Sequence, residues 1–129
     1  MFESFLANNL QLFIQLIVAT FLGGVIGIER TLANKVAGLR TYAFVSLGSC
    51  LLIIISTLVT NDFIGVTTFD PLRVAAAIIM GVGFLCGGIM VYHENKFLGV
   101  TTAAGMWVAT GIGIAVGFGY FALASMTTL

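Results

Sequence analysis

Residues 70–88 of the chain read DPLRVAAAIIMGVGFLCGG, and this stretch decides the fold class. It opens with Asp70 before Pro71, and an N-capping residue followed by proline at the first helical position predicts a helix that begins sharply. On a helix of about 100° per residue, small and branched residues fall on separate faces. The small-residue face comprises Arg73, Ala76, Ala77, Met80, Gly81, Gly83, Phe84, Gly87 and Gly88, and the branched face comprises Ile78, Val82, Leu85 and Ile89.

The separation of small from branched residues is typical of a helix in a membrane. In water the large aliphatic residues would belong in a core, whereas in a bilayer they meet lipid and the small residues let neighbouring backbones approach. We therefore expect this helix to be the hub of a membrane bundle. The tightest helix contact is predicted at Gly81, Gly83, Gly87 and Gly88.

Composition supports an integral membrane protein. Hydrophobic residues make up 60% of the chain and charged residues 8%, and the mean hydropathy is +1.15, far from the balance of a soluble domain. Four apolar runs are long enough to cross about 30 Å of hydrocarbon. The sequence thus predicts an all-α, polytopic transmembrane helix bundle in a single domain over residues 1–129, with spans near 10–28, 41–60, 74–92 and 101–124.

Small residues also mark the first and last spans. Gly23 and Gly27 are four residues apart, and Gly105 and Gly113 belong to a stripe with a small residue at every fourth position, so we expect all four glycines at helix contacts. Residues 117–119 read GFG, which leaves two alternatives open: a continuous last helix, or a tight turn into a short fifth span.

The loop charges predict an orientation. Basic residues crowd the first loop and the third loop contains Lys96, whereas the second loop is acidic. The positive-inside rule then places the first and third loops in the cytoplasm and the N-terminus outside.

No enzyme signature is present in the sequence. No serine lies in a nucleophile elbow, and no cluster of histidine, cysteine and carboxylate residues has the spacing of a metal site. Cys50 and Cys86 both fall within predicted spans and are interpreted as small buried residues. We therefore expect no enzymatic activity, no catalytic, cofactor-binding or metal-ligating residues, and no nucleic-acid partner; the expected surroundings are the lipid bilayer.

The charged span ends are the candidate functional residues. Ionisable groups at the edge of a membrane are costly and often mark an ion path or a contact surface. The alternative is that they are only helix caps and side chains that extend to the interface. The candidates are Glu29, Arg30, Arg40, Asp70 and Arg73.

Several motifs resemble, in order, the membrane domain of the MgtC/SapB family. They are GGVIGIER at residues 23–30, AGLRT at 37–41, VSLG at 45–48, the stretch 70–88, GVTTAAGMW at 99–107 and GFGY at 117–120. The chain departs from the family pattern at Ala77, where a glutamine is usual, at Met80, where a small polar residue is usual, at Tyr42, where histidine is common, and at Cys86 within the family's GFLGAG run.

The resemblance implies a multi-pass protein of the bacterial inner membrane, from a family linked to growth and virulence under low magnesium. It also implies regulation of other membrane machinery, with ATP synthase as one such partner, and a homo-oligomer is a further expectation. Long members carry a C-terminal soluble domain, and we expect this chain to be the short form without it. The predicted function is a non-enzymatic module of magnesium homeostasis; the alternative is a small magnesium transporter or channel with the charged span ends along its path.

Overall fold

Five helices and one β-hairpin make up the part of the chain that the computed structural model describes, residues 2–65 and 70–129. The elements are α1 (Phe2–Leu32), α2 (Leu39–Asp62), α3 (Pro71–Ile89), β1 (Val91–His93), β2 (Lys96–Leu98), α4 (Val100–Gly117) and α5 (Phe121–Thr128). Four helical stretches are long and apolar enough to cross a membrane: Asn9–Leu32, Leu39–Asp62, Pro71–Ile89 and Val100–Gly117. The predicted all-α transmembrane bundle is confirmed.

The start of α3 follows from its first two residues. The Asp70 carboxylate accepts a hydrogen bond of 2.9 Å from the backbone N–H of Leu72, and Pro71 occupies the first helical position. An N-cap oxygen satisfies a backbone donor that the first turn leaves without an intrahelical partner, and proline there sacrifices no hydrogen bond. The helix therefore begins where the sequence predicted.

The end of α3 differs from the prediction. The third span was expected to continue to residue 92, but the helix ends at Ile89 because Met90 adopts an extended backbone. A short antiparallel hairpin follows, with Glu94 and Asn95 at positive φ angles of 49° and 61° in its turn. Two consecutive positive φ angles match the right-handed twist of the flanking strands. The hairpin brings the chain back to the membrane edge at the start of α4.

Helices α1 and α2 form a close antiparallel pair. A Cβ atom at Gly23 would lie 2.6 Å from the Ser46 Cβ, and one at Gly27 would lie 2.6 Å from the Leu39 Cα. Real Cβ atoms do not approach other heavy atoms so closely, so only glycine permits this spacing. The two glycines of the first span thus lie at the contact between α1 and α2.

Helix α4 packs parallel to α2 and completes a core of three helices, α1, α2 and α4. A Cβ at Gly105 would lie 2.6 Å from the Tyr42 Oη and one at Gly117 would lie 2.7 Å from the Ile53 Cβ; one at Gly113 would collide with the Ser46 carbonyl oxygen. Small residues let transmembrane backbones come together in this way, where van der Waals contact replaces the hydrophobic driving force. Ser46 is fully buried where the three helices meet.

The face assignment of α3 was wrong. Ile78, Val82 and Cys86 are buried and pack toward the rest of the chain. Gly81, Gly83, Gly87 and Gly88, which were predicted at the tightest contact, face open space, since a Cβ added at any of them would meet no atom within 4 Å. The physical reason is that α3 lies at the edge of the bundle, mainly on α4 and less on α2. Only one face of α3 packs against the rest of the bundle, and that face carries the branched residues. The close backbone contacts are made by glycines of α1 and α4.

The last apolar stretch forms two helices joined by a turn, which is the second of the two alternatives that the sequence left open. Helix α4 ends at Gly117, and Gly119 has a φ of +86°. The N–H of Tyr120 donates to the Ala115 carbonyl at 2.8 Å and that of Gly119 to the Val116 carbonyl at 2.9 Å, the paired bonds of a Schellman motif. The following helix, α5, has 8 residues and a length of about 12 Å.

A glutamine from α1 stabilises this break. The side chain of Gln15 is 5% exposed, and its Nε2 donates to the carbonyl oxygens of Val116 at 3.0 Å and Gly117 at 3.3 Å. The last carbonyls of a helix have no partner within the helix, and no water is available in hydrocarbon to replace one. Gln15 therefore gives the Gly117 carbonyl a donor and adds a second donor at the Val116 carbonyl, which already accepts from the Gly119 N–H.

Candidate functional site

The charges separate to the two ends of the bundle. We call the end formed by the α1–α2 connection and the hairpin the basic end, and the end formed by the α2–α3 connection and the start of α1 the acidic end. Among the side chains that the structure describes, the basic end has four basic and two acidic ones, a sum of +2, and the acidic end has one basic and two acidic ones, a sum of −1. They are Arg30, Lys35, Arg40, Lys96, Glu29 and Glu94 at the basic end, and Arg73, Asp62 and Asp70 at the acidic end.

At the basic end, Thr31 fastens α1 to the start of α2. Its hydroxyl donates to the Gly27 carbonyl at 3.0 Å and accepts from the backbone N–H of Leu39 at 2.8 Å. Leu39 is the first residue of α2, whose N-cap Gly38 has no side chain to cap the helix. Thr31 thus performs the capping function from the preceding helix, and it fixes the angle at which α2 leaves the connection.

Glu29 and Arg30 form an ion pair beside this corner. The Arg30 side chain is 16% exposed and the Glu29 side chain 70% exposed. The arginine therefore lies against the bundle, while the carboxylate faces the surroundings. At the same end of the bundle, Tyr42 near the start of α2 is fully buried, so a buried polar side chain lies beneath the charged edge.

Two side chains join α2 and α3 to the first turns of α4. The fully buried Tyr42 donates from its Oη to the Thr102 carbonyl at 2.8 Å. Cys86 donates from its Sγ to the next carbonyl, that of Ala103, at 3.2 Å. Hydrogen bonds between transmembrane helices contribute about 0.6 kcal/mol on average. These two bonds set the position of three helices relative to one another directly beneath the charged edge.

Arg40 lies in the first turn of α2 and is exposed. Its side chain lines the mouth of a lateral groove between α2 and α3 with a volume of about 810 Å³. The ion pair of Glu29 is with Arg30, and Arg40 lies at the same end of the bundle.

Asp70 and Arg73 lie at the acidic end, away from the other three candidates. Asp70 is committed to capping α3, and Arg73 is an exposed residue of the first turn, whose backbone N–H donates to the Asp70 carbonyl at 3.1 Å. The structure therefore divides the five sequence-predicted residues into two groups at opposite edges of the membrane.

Hydroxyl groups inside the spans are mostly turned back on their own helices. Ser49 donates to the Val45 carbonyl at 2.7 Å and Thr110 to the Met106 carbonyl at 2.9 Å. Such bonds consume the donor of a hydroxyl and leave it little capacity to coordinate an ion. Ser46 differs, because its Oγ is buried without a hydrogen-bond partner where Gly23 and Gly113 approach it.

Sequence reasoning overlooked Gln15, Thr31 and the donor role of Tyr42. A glutamine inside an apolar run is a usable signal, since such a group must find a partner in hydrocarbon. Thr31 gives no such signal, because a threonine at a span end is ordinary. The partner of Tyr42 lies 60 residues away, a separation that sequence pattern alone does not reveal.

Among the residues that the structure describes, no group of three or more histidine, cysteine, aspartate or glutamate side chains could hold a metal ion. The arrangement is a closed helical core with a charged, hydrogen-bonded rim at each end. It is suited to holding helix faces and charges in fixed positions.

The comparisons with known proteins agree on one family. The model of the MgtC family matches residues 16–129. The chain is 37% identical to the putative magnesium transporter YhiD of Escherichia coli K12, over 73% of this chain and 45% of that protein. It is 40% identical to protein SapB of Bacillus subtilis, over 73% and 42%, and 41% identical to protein MgtC of Brucella suis, over 67% and 34%.

The chain spans less than half the length of these curated relatives. No solved structure matches it significantly.

Proposed function

Because the chain belongs to the MgtC family, we propose that it is a non-enzymatic module of the bacterial inner membrane that supports magnesium homeostasis by contacting other membrane proteins. The family and the name of the E. coli relative both support a magnesium-related membrane protein. The regulatory mode of action is what the resemblance to the family implies, and the helix packing supports it.

The observation that carries this proposal is the closeness of α1, α2 and α4. At Gly23 and Gly113 the backbones pack so tightly around Ser46 that a single added methyl group would collide with α2. Mg²⁺ gives up its water shell reluctantly and requires about six oxygen ligands at 2.0–2.1 Å. A path between these three helices would need the backbones to separate, and the Ser49 and Thr110 hydroxyls nearby donate to carbonyls of their own helices.

The outer face of α3 supports the contact role. Gly83, Gly87 and Gly88 are exposed, and a Cβ atom added at any of them would meet no atom of the described neighbouring elements within 4 Å. Such a face lets a second transmembrane helix approach closely. The partner we propose is a helix of larger membrane machinery, for which the family resemblance offers ATP synthase, and a second copy of this chain is the other candidate.

We further propose that the basic end faces the cytoplasm and the N-terminus lies outside. The charge sums of +2 and −1 over the described side chains at the two ends support this orientation through the positive-inside rule. A reporter that is active only in the cytoplasm should be active when it is fused beside Lys35. If instead only a reporter that requires the periplasm is active there, the orientation is contradicted.

A transporter is the second candidate function, favoured by the name of the E. coli relative and by the groove between α2 and α3. Two measurements on one strain separate the candidates. In a host that lacks its own copy, the chain should restore growth at low magnesium while the initial rate of magnesium uptake stays at the level of the empty vector. A rise in uptake together with growth would favour the transporter.

The contact face has its own test in the same strain. Gly83→Leu and Gly87→Leu should fold, since both positions are open, and should fail to restore growth because the side chain blocks the partner helix. Gly111→Leu on α4 is the matched control, as that glycine also meets no atom within 4 Å. Normal growth from all three variants would contradict a partner at the α3 face.

A further inference from the structure

The two grooves beside the start of α2 share a single charged residue. The larger groove lies between α2 and α3, and a smaller one of about 310 Å³ lies between α1 and α2. Arg40 and Phe44, one helical turn apart on α2, line both grooves and form the ridge between them. Both grooves are otherwise walled almost entirely by apolar side chains, and they meet at an arginine that is exposed at the membrane edge.

The larger groove is long enough for an acyl chain. It extends along α2 from Arg40 to Leu52 and along α3 from Val74 to Leu85, distances of about 18 Å and about 17 Å at 1.5 Å per residue. Half of the hydrocarbon core of a bilayer, the depth that one acyl chain spans, is about 15 Å. The groove therefore begins at Arg40 and has the length of an acyl chain, and on α3 it reaches the first turn of the helix.

Small residues give the groove its depth. Gly48 on α2 and Gly81 on α3 both line it, and a Cβ at either position would meet no atom within 4 Å. The two helices make fewer contacts with each other than α3 makes with α4. An apolar chain can therefore lie between α2 and α3 in van der Waals contact with both.

We propose that the Arg40–Phe44 ridge binds one anionic phospholipid, with its phosphate at Arg40 and its two acyl chains in the grooves on either side of α2. A diacyl lipid has one phosphate and two chains, the same arrangement as one arginine between two apolar grooves. Arginine pairs well with phosphate because its planar guanidinium can donate two parallel hydrogen bonds. Lys35 in the adjoining connection adds positive charge that favours a headgroup with a net negative charge.

Charge also favours a lipid over a second copy of the chain at this position. Copies inserted in the same orientation would bring two basic ends together, each with a charge sum of +2. At that end Glu29 is already paired with Arg30. An anionic headgroup supplies the negative charge that a second copy lacks.

Native mass spectrometry of the full chain, delipidated in a neutral detergent, tests the proposal with phosphatidylglycerol and phosphatidylcholine of identical acyl chains. The first lipid adduct should form with phosphatidylglycerol at about one tenth of the concentration needed for phosphatidylcholine. Arg40→Gln should remove most of this preference and Arg40→Lys should keep most of it. Arg73→Gln, a matched control at the other end that lines neither groove, should leave the preference intact.

A second pair of variants tests the groove itself. Gly81→Leu should weaken binding of both lipids about tenfold by filling the groove, whereas Gly83→Leu, two residues along the same helix and outside the groove, should not. Equal binding of the two lipids by the unmodified chain, equal effects of Arg40→Gln and Arg73→Gln, or equal effects of Gly81→Leu and Gly83→Leu would each overturn the proposal. A dimer that excludes lipid adducts, and that Gly81→Leu dissociates, would assign the groove to a second copy instead.

Discussion

Replacing Gly23 with alanine should destabilise the bundle, whereas the same change at Gly83 should not. At Gly23 the new Cβ would lie 2.6 Å from the Ser46 Cβ and 2.7 Å from the Tyr42 carbonyl oxygen. Ordinary contacts of this kind are about 3.5–4.0 Å, so α1 and α2 must move apart by roughly 1 Å or bend. At Gly83 the Cβ would meet no atom within 4 Å.

The expected magnitude comes from the difference between the two sites. The helix propensity of alanine over glycine, about 1 kcal/mol, favours both variants and cancels in the comparison. What remains is the cost of overpacking at Gly23, about 1–3 kcal/mol. The free energy of unfolding of Gly23→Ala should therefore be lower than that of Gly83→Ala by about 1–3 kcal/mol.

Reversible unfolding in mixed micelles, with denaturing detergent as the titrant and the fluorescence of Trp107 as the signal, measures this difference. Far-ultraviolet circular dichroism of both variants before titration checks that each starts from the folded state. Equal midpoints for the two variants, or a larger loss at Gly83, would refute the assignment of the close contact to α1 and α2 and would return it to the glycine face of α3.

Three further predictions concern hydrogen bonds and the cap. Gln15→Leu should lower the free energy of unfolding by about 1–2 kcal/mol, because it removes the interhelical hydrogen bonds to the Val116 and Gly117 carbonyls. The same titration measures this loss, and Gln11→Leu on the exposed side of α1 should change the free energy little. Tyr42→Phe should cost about 0.6–1.7 kcal/mol and the exposed Tyr120→Phe should cost nothing measurable; equal losses would mean that the Thr102 bond contributes nothing. Asp70→Asn should keep the stability of the parent because the amide oxygen still caps α3, whereas Asp70→Ala should lose about 1 kcal/mol. If Asp70→Asn is stable but does not support growth at low magnesium, the negative charge of Asp70 has a role of its own.

The elements that local chemistry dictates were predictable from the sequence. Asp70 and Pro71 specify the start of α3 through two short-range effects, capping and a fixed φ angle. Gly119 made a turn at the end of α4 one of two alternatives, because such a turn needs a left-handed residue, and the structure has the turn. The apolar runs specify the spans because only a helix satisfies its own backbone in hydrocarbon.

The packing of α3 was not predictable, and the reason is physical. Segregation of Gly81 and Gly83 from Val82 shows that the helix has two different faces, but both faces are apolar and both can lie against lipid or protein. In water the hydrophobic effect would decide between them; in a bilayer it does not. Which face meets the chain depended on the position of α3 at the edge of the bundle, a property of the whole assembly.

The candidate site was predictable in its residue types and not in its connections. The sequence located Arg30, Arg40 and Asp70 at span ends, since charges are excluded from the hydrocarbon core. It did not identify the hydrogen bonds that join the buried layer beneath them, because Tyr42 and Thr102 belong to different helices and neither is unusual in its own span.

Magnesium flux through the purified chain in sealed liposomes, with a magnesium-sensitive dye trapped inside, tests the central claim most directly. The closed packing of α1, α2 and α4 predicts that the initial rate of dye response equals that of protein-free vesicles at every external magnesium concentration. A protein-dependent rate that rises and saturates with magnesium would contradict the proposed contact module and would make this chain a transporter.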